Sequence, residues 1–210
     1  MPSPKIIELR RVLAERFPPQ TVSSFCTPTG WNWFDSELGG GLPKGAITQF
    51  VVPKISSGGT LVLHEIIDAR CRDTQPTALV DGKDCFDLPV TYPHLLWARC
   101  TSAMQAVKAT DLLLRDGNLP FIILDLKPSS ARELRKVPAT AWYRLQRCAE
   151  ESRCSLLVIT SHPIIASAQI TITMTHQLNL HDLSTELFQI TNRISLEISR
   201  RKIQLEYCYG

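Results

Sequence analysis

Residues 46–60 read Ala-Ile-Thr-Gln-Phe-Val-Val-Pro-Lys-Ile-Ser-Ser-Gly-Gly-Thr, and their reading decides the fold. The first seven (46–52) are mostly apolar or β-branched, the signature of a strand buried on both faces. A Ser/Gly loop spans Ser56 to Gly59, and a helix is expected from Thr60 to Arg72. The rest of the chain repeats this rhythm. TALVD (77–81) is a strand ending in Asp, and HLLWARC (94–100) is another. A helix over 101–117 closes on Gly117; FIILD (121–125) is a further Asp-terminated strand; a helix over 139–152 leads to the strand SLLVIT (155–160). Strands alternating with helices imply right-handed crossovers, hence an α/β fold with a mostly parallel sheet flanked by helices. After Gln169 the pattern becomes alternation without helices, through Ile170, Ile172, Ile190, Ile194, Leu196, Ile198, Ile203, Leu205 and Tyr207. That pattern predicts antiparallel C-terminal edge strands.

Upstream, residues 4–17 place Ile6, Leu9, Val12 or Leu13, and Phe17 at helical spacing, with charges on the other face. Pro18 and Pro19 end this N-terminal helix, and Thr, Ser and Pro then give a linker to about Thr29. The expected organisation is an amphipathic helix and linker over 1–29 and a core domain over 30–210. Apolar residues at 44% and charged residues at 20% suit a packed core rather than disorder. No apolar run approaches bilayer length, and charges interrupt the N-terminus, so neither a membrane span nor a signal core is expected. The seven cysteines are odd in number and scattered without a C-x-x-C pair, which argues against a metal site or disulfide framework. A cytoplasmic location is the expectation. The formal charge of +3 is uneven, the basic surplus lying in residues 127–210. Nucleic acid and a solvated basic face both account for it.

Open α/β sheets bind ligands at the carboxyl ends of their strands. That edge carries the loop 53–59, Asp81, Asp125 and Ser161–His162. A phosphate-binding loop reads G-x-x-x-x-G-K-[ST]: its glycines free backbone N–H groups for the phosphates, its lysine meets the β- and γ-phosphates, and its hydroxyl holds Mg²⁺. Here Gly58 and Thr60 fall in place, but Pro53 replaces the first glycine and Gly59 stands where the lysine belongs.

The surroundings give this half-match meaning. GGLPKG (40–45) precedes the strand, SSGGT (56–60) follows it, and the Asp125-terminated strand and the strand 155–160 come in order. Together these resemble the RecA family over residues 30–210. The N-terminal helix ending in ERFPP is similar to the ImuA branch, RecA relatives encoded beside translesion polymerases.

The resemblance implies roles position by position. Thr60 matches the Mg²⁺-binding hydroxyl and Asp125 the carboxylate at its strand end. The phosphate-binding lysine maps to Gly59 and the water-activating glutamate to Lys83. The polar sensor of the γ-phosphate falls near His162. The candidate degenerate nucleotide site is thus Pro53, Lys54, Ser57, Gly58, Gly59, Thr60, Lys83, Asp125 and His162. Replacing Lys by Gly removes a charge-assisted hydrogen bond worth about 1.5–3 kcal/mol and the charge a phosphoryl transition state needs. Lys83 serves as a base at neutral pH only if deep burial lowers its pKa by several units. Efficient ATP hydrolysis is therefore not expected, and no catalytic residue or cofactor is assigned. A second possibility is that Lys54 or Lys83 swings toward a phosphate and gives weak binding of ATP with Mg²⁺ without cleavage.

Asp81, Asp84 and Asp87 allow a metal trio, against the plainer reading that Asp81 satisfies backbone N–H groups and Asp84 caps a short helix. Trp31 and Trp33, one residue apart in an extended segment, face the same way, over the core or under a nucleobase. His64, His94, His176 and His181 lack metal-ligand spacing. Lys127, Arg132, Arg135, Lys136, Arg144 and Arg147 line the segment that in RecA includes the first DNA-binding loop. The second loop, near 161–169, carries no basic residue, which weakens the case for DNA. Arg200, Arg201 and Lys202, at a strand junction, are candidates for phosphate or an acidic partner.

The reading that follows is a catalytically degenerate RecA-like accessory protein in the DNA damage response and translesion synthesis. Its expected partners are a translesion polymerase assembly or a RecA-like protein, with DNA bound weakly if at all and no membrane. Its alternatives are an active RecA-fold ATPase of recombination or repair and a SulA-like cell-division inhibitor.

Overall fold

The computed structural model describes residues 25–54, 57–88, 91–175 and 194–201. The expected N-terminal helix (4–17), Ser56, the segment 176–193 and Lys202 onward lie outside these residues.

The expected α/β architecture is what the chain forms. The elements are β1 (Cys26–Thr27), α1 (Asn32–Leu38), β2 (Leu42–Pro43), β3 (Ala46–Val51), α2 (Gly59–Arg72), β4 (Thr77–Asp81), β5 (Leu95–Arg99), α3 (Ala103–Asp116), β6 (Phe121–Asp125), α4 (Ala131–Leu134), α5 (Ala139–Ser152), β7 (Ser155–Thr160), β8 (Ile170–Met174) and β9 (Leu196–Arg201). A seven-stranded sheet runs β5-β4-β6-β7-β3-β8-β9, and β1 pairs with β2 separately. Every neighbouring pair from β5 to β8 is parallel; only β9 is antiparallel, against β8.

The central strands are buried on both faces, which is why they read as unbroken apolar runs. Successive side chains alternate sides. Ile47, Val80, Ile122, Leu124, Leu156 and Val158 pack under α3 and α5. Phe50, Leu79, Ile123, Leu157 and Ile159 pack under α1 and α2. Local signals fix the helix ends. The Ser102 side chain accepts the Gln105 N–H at the start of α3, and Gly117 closes it at φ 76°.

Three expectations are corrected. First, β8 is parallel to β3, with Thr48 opposite Ile170; alternation does not distinguish a parallel strand near the sheet edge from an antiparallel one. Arg200 and Arg201 are the last two residues of β9, opposite Thr171 and Ile170, and Lys202 lies outside the described residues. Second, the linker does not extend to Thr29. Cys26 and Thr27 are buried and paired with Pro43 and Leu42. Asp35 accepts the Thr29 N–H (2.9 Å), the Thr29 hydroxyl (2.7 Å) and the Gly30 N–H (3.0 Å). Arg70, 2% exposed, donates to the Pro28 carbonyl at 2.5 Å and to Thr77 Oγ1 at 2.8 Å, and lies 4.1 Å over the Phe121 ring. Burial lowers its pKa to about 10, which leaves it charged at neutral pH. Third, Trp31 and Trp33 are not in an extended strand. Trp31 is the N-cap of α1 and is buried against Phe34, their rings stacked at 5.5 Å, while Trp33 tilts against Trp31 at 5.3 Å.

Candidate functional site

The carboxyl edge of the sheet gathers the ends of β3, β4, β6 and β7. Its scaffold is a set of carboxylates and one amide that hold loops through backbone groups. Asp81, fully buried at the end of β4, accepts the Lys83 N–H at 3.1 Å and the Phe86 N–H at 2.8 Å. Satisfying backbone N–H groups is the plainer of its two expected roles. Its neighbour Gly82 donates to the Asp125 carbonyl at 2.9 Å, and a Cβ there would stand 2.6 Å from that same oxygen. Only glycine lets β4 and β6 leave the sheet this close together. Asp84 does not cap a helix: it takes φ 53° and pairs with Arg99. Among the described residues no three acidic, His or Cys side chains gather as a metal cluster, so the Asp81–Asp84–Asp87 trio is not assembled there.

Gln49, in the middle of β3 and 1% exposed, was not singled out by sequence. Its Nε2 donates to Thr160 Oγ1 (2.8 Å) and the His162 carbonyl (3.0 Å), and its Oε1 accepts the Ile165 N–H (3.2 Å). It thus stitches the loop after β7 to the central strand. A lone amide inside a buried apolar run was the available signal. His162 itself is exposed, its Nδ1 2.8 Å from Ser161 Oγ.

At the cradle, Gly58 takes φ 82° and caps α2 without a side-chain hydrogen bond. Ser57 is buried, while Pro53 and Lys54 are exposed. Gly59 is buried, and its surroundings explain more than its lack of a side chain. A Cβ on Gly59 would stand 2.6 and 2.8 Å from the two methyl carbons of Val52. Val52 is 1% exposed, is fixed by its N–H to the Thr160 carbonyl (2.8 Å) and has a stiff branched side chain. The volume through which a phosphate-binding lysine would leave the backbone is filled.

The other substituted positions have their own partners. Lys83 Nζ lies 2.7 Å from Glu133 Oε2, and Glu133 Oε1 accepts the Ala103 N–H at 2.9 Å, so Lys83 is tied to α4. The hydrogen bond from Lys83 holds the Glu133 carboxyl below its ordinary pKa. In this geometry the Lys83 ammonium is held by Glu133. Thr60 and Asp125 are both drawn to Lys127, whose Nζ donates to Thr60 Oγ1 at 3.0 Å and whose N–H donates to Asp125 Oδ1 at 2.9 Å. Asp125 is 6% exposed. Burial pushes its pKa up to about 6, against the Lys127 hydrogen bond and charge, with Asp81 adding to the rise. A unit charge and a divalent ion about 4 Å apart repel by about 2 kcal/mol in water and about 8 kcal/mol at an effective dielectric of ~20. Val52 over Gly59 and the ammonium on the Thr60 hydroxyl occupy the places where a magnesium nucleotide held in phosphate-loop fashion would need room and a free lone pair.

Among the described residues the basic positions lie on separate elements. Arg132, Arg135 and Lys136 are exposed on and after α4. Arg144 pairs with Asp111 and Arg147 with Glu151, each at 2.9 Å. Strand β9, with Arg200 and Arg201, lies four strand spacings from β6, about 19 Å away. Beside the α4 residues is a cavity of 270 Å³ between α4, α5 and the 164–167 loop. Leu134, Val137 and Trp142 line it, as do Tyr143, 58% exposed, and Ser167, whose buried hydroxyl has no hydrogen-bond partner.

No family model matches the chain. It is 33% identical to the RecA protein of Streptomyces avermitilis over 105 residues, 47% of this chain and 28% of that protein. Over 118 residues it is 34% identical to the RecA protein of Leifsonia xyli, covering 53% of this chain and 31% of the relative. The RecA protein of Chlorobaculum tepidum is 36% identical over 104 residues, 46% and 30% of the two chains. The match spans under a third of the length of these curated relatives. This partial similarity supports a RecA-like superfamily, and the mostly parallel seven-stranded sheet is consistent with a RecA-like fold.

Proposed function

We propose that this chain is a non-hydrolysing RecA-like accessory factor of DNA recombination and repair, which acts by binding protein partners rather than by turning over nucleotide. The observation that carries the reading is Val52 packed over Gly59 where a phosphate-binding lysine would stand. Lys83, tied to Glu133 at the position of the water-activating carboxylate, supports it independently. The finer reading is an ImuA-type role beside a translesion polymerase. It rests on the sequence resemblance alone and makes a polymerase of that class the first partner to try. The cavity beside Tyr143, flanked by the exposed Arg132, Arg135 and Lys136, suits an acidic segment with an apolar anchor.

A steady-state assay of phosphate release from ATP with magnesium, with and without single-stranded DNA, tests the reading. Background-level release in both conditions is expected; magnesium-dependent turnover sinks it. A second reading, an active ATPase, draws on Thr60 and Asp125 standing at matching positions and on the similarity to RecA proteins. The same assay decides between them.

A further inference from the structure

We infer that Lys127 is a built-in cation that takes the place of a divalent metal at the cradle, so that the chain keeps this edge assembled without magnesium. The inference rests on reading Thr60 and Asp125 as the pair that would otherwise face a metal. Thr60 stands at the mouth of the cradle in the first turn of α2, and Asp125 ends β6. β7 lies between β6 and β3, the strand that leads into the cradle, so hydroxyl and carboxylate come from elements with no direct strand pairing. Something must join them across that gap. In this chain Lys127 does so from two residues beyond Asp125. Its backbone N–H is on Asp125 Oδ1 at 2.9 Å, and its side chain reaches back to Thr60 Oγ1 at 3.0 Å.

The chemistry is specific. A hydroxyl that accepts from an ammonium has that lone pair turned toward the cation and not toward a metal. The Lys127 charge also acts on the Asp125 carboxyl, the buried acid of the pair. One residue therefore engages both members of the pair, its backbone N–H on the carboxylate and its ammonium on the hydroxyl, with its charge also lowering the Asp125 pKa. A tethered ammonium cannot leave, so the arrangement does not depend on the concentration of an ion. Lys83 does not compete for the role, because it is engaged by Glu133 at 2.7 Å.

Thermal unfolding of the full chain, with and without about 10 mM magnesium chloride and at matched ionic strength, tests this, since any ligand of the native state raises its midpoint by mass action. The wild-type midpoint is expected to stay still. Lys127→Ala should lower it by about 3 °C, and magnesium, but not sodium, should recover most of that loss. Lys127→Met keeps the stem of the side chain and serves if the alanine variant does not fold. Lys108→Ala, which removes an exposed charge from the outer face of α3, should show no magnesium response. Manganese titrated into the wild type, followed by its paramagnetic signal, should remain free. A magnesium response or manganese binding in the wild type overturns the inference. A lysine variant that loses stability without recovering it in magnesium overturns it too, as does one that loses none. ATP turnover by the wild type would instead sink the functional reading, so the two failures are distinguishable.

Discussion

The two edges of the sheet are both satisfied from within, but only the carboxyl edge stands where an open α/β sheet binds its ligands. At the amino edge, polar groups interlock the chain with itself. Ser155 Oγ donates to Thr27 Oγ1 at 2.8 Å, Gln146 Oε1 accepts the Ile47 N–H at 2.9 Å, and Arg70 reaches across to Pro28 and Thr77. At the carboxyl edge, Gly59, Lys83 and Lys127 stand at or beside positions where a nucleotide enzyme needs other chemistry, and each has found an internal partner or a packing neighbour. On the proposed reading, a site without its ligand-binding groups need not be a loose one: side chains of the protein itself occupy the room and satisfy the polar atoms.

The largest expected effect is at the amino edge. Arg70→Ala leaves a cavity and strips the Pro28 and Pro76 carbonyls of their donor, a loss of about 3–4 kcal/mol in urea unfolding with the slope unchanged. A loss below about 1 kcal/mol would mean that the amino edge is not the staple it looks. Next comes Asp125. Its pKa rises from 3.8 to about 6 on folding, so the native state holds a proton that the unfolded chain has released. Stability is therefore greatest below pH 3.8 as far as this group decides, and falls as pH climbs toward 6 by about 2–3 kcal/mol. Asp125→Asn keeps the acceptor for the Lys127 N–H and should flatten that part of the stability–pH curve. An unchanged slope would show that the carboxylate is better solvated than its burial implies.

How much of this was legible in the sequence follows from which forces are local. The strands β3, β4, β6 and β7 were readable because burial on both faces leaves an uninterrupted apolar run, and Gly117 announced the end of α3. The direction of β8 was not, since Ile170 and Ile172 alternate identically in parallel and antiparallel strands. The segment 25–29 looked like a linker because composition does not reveal that Arg70, more than forty residues on, collects its carbonyl. At the site, Gly59 could be read as a departure from the phosphate-loop motif and Lys83 as a departure from what the RecA resemblance implies. Val52 and Lys127 could not, because one acts by filling a volume and the other by reaching a hydroxyl sixty-seven residues away.

The smaller effects test whether the carboxyl edge can be turned back. Gly59→Lys forces its Cβ onto the methyl groups of Val52 and should cost about 1–3 kcal/mol, with no gain in ATP turnover. Pairing it with Val52→Ala should recover part of the stability and still leave the protein inactive. Lys83→Glu, which puts a carboxylate at the second position, places it against Glu133 in place of a partly exposed ion pair, so about 1 kcal/mol is lost. Turnover should again stay at background, because Lys127 still stands on Thr60. The two deficits are separate in space and in chemistry, so each single reversal leaves the other intact. If either one alone gave magnesium-dependent phosphate release, the reading of the carboxyl edge as filled by the protein's own side chains would collapse.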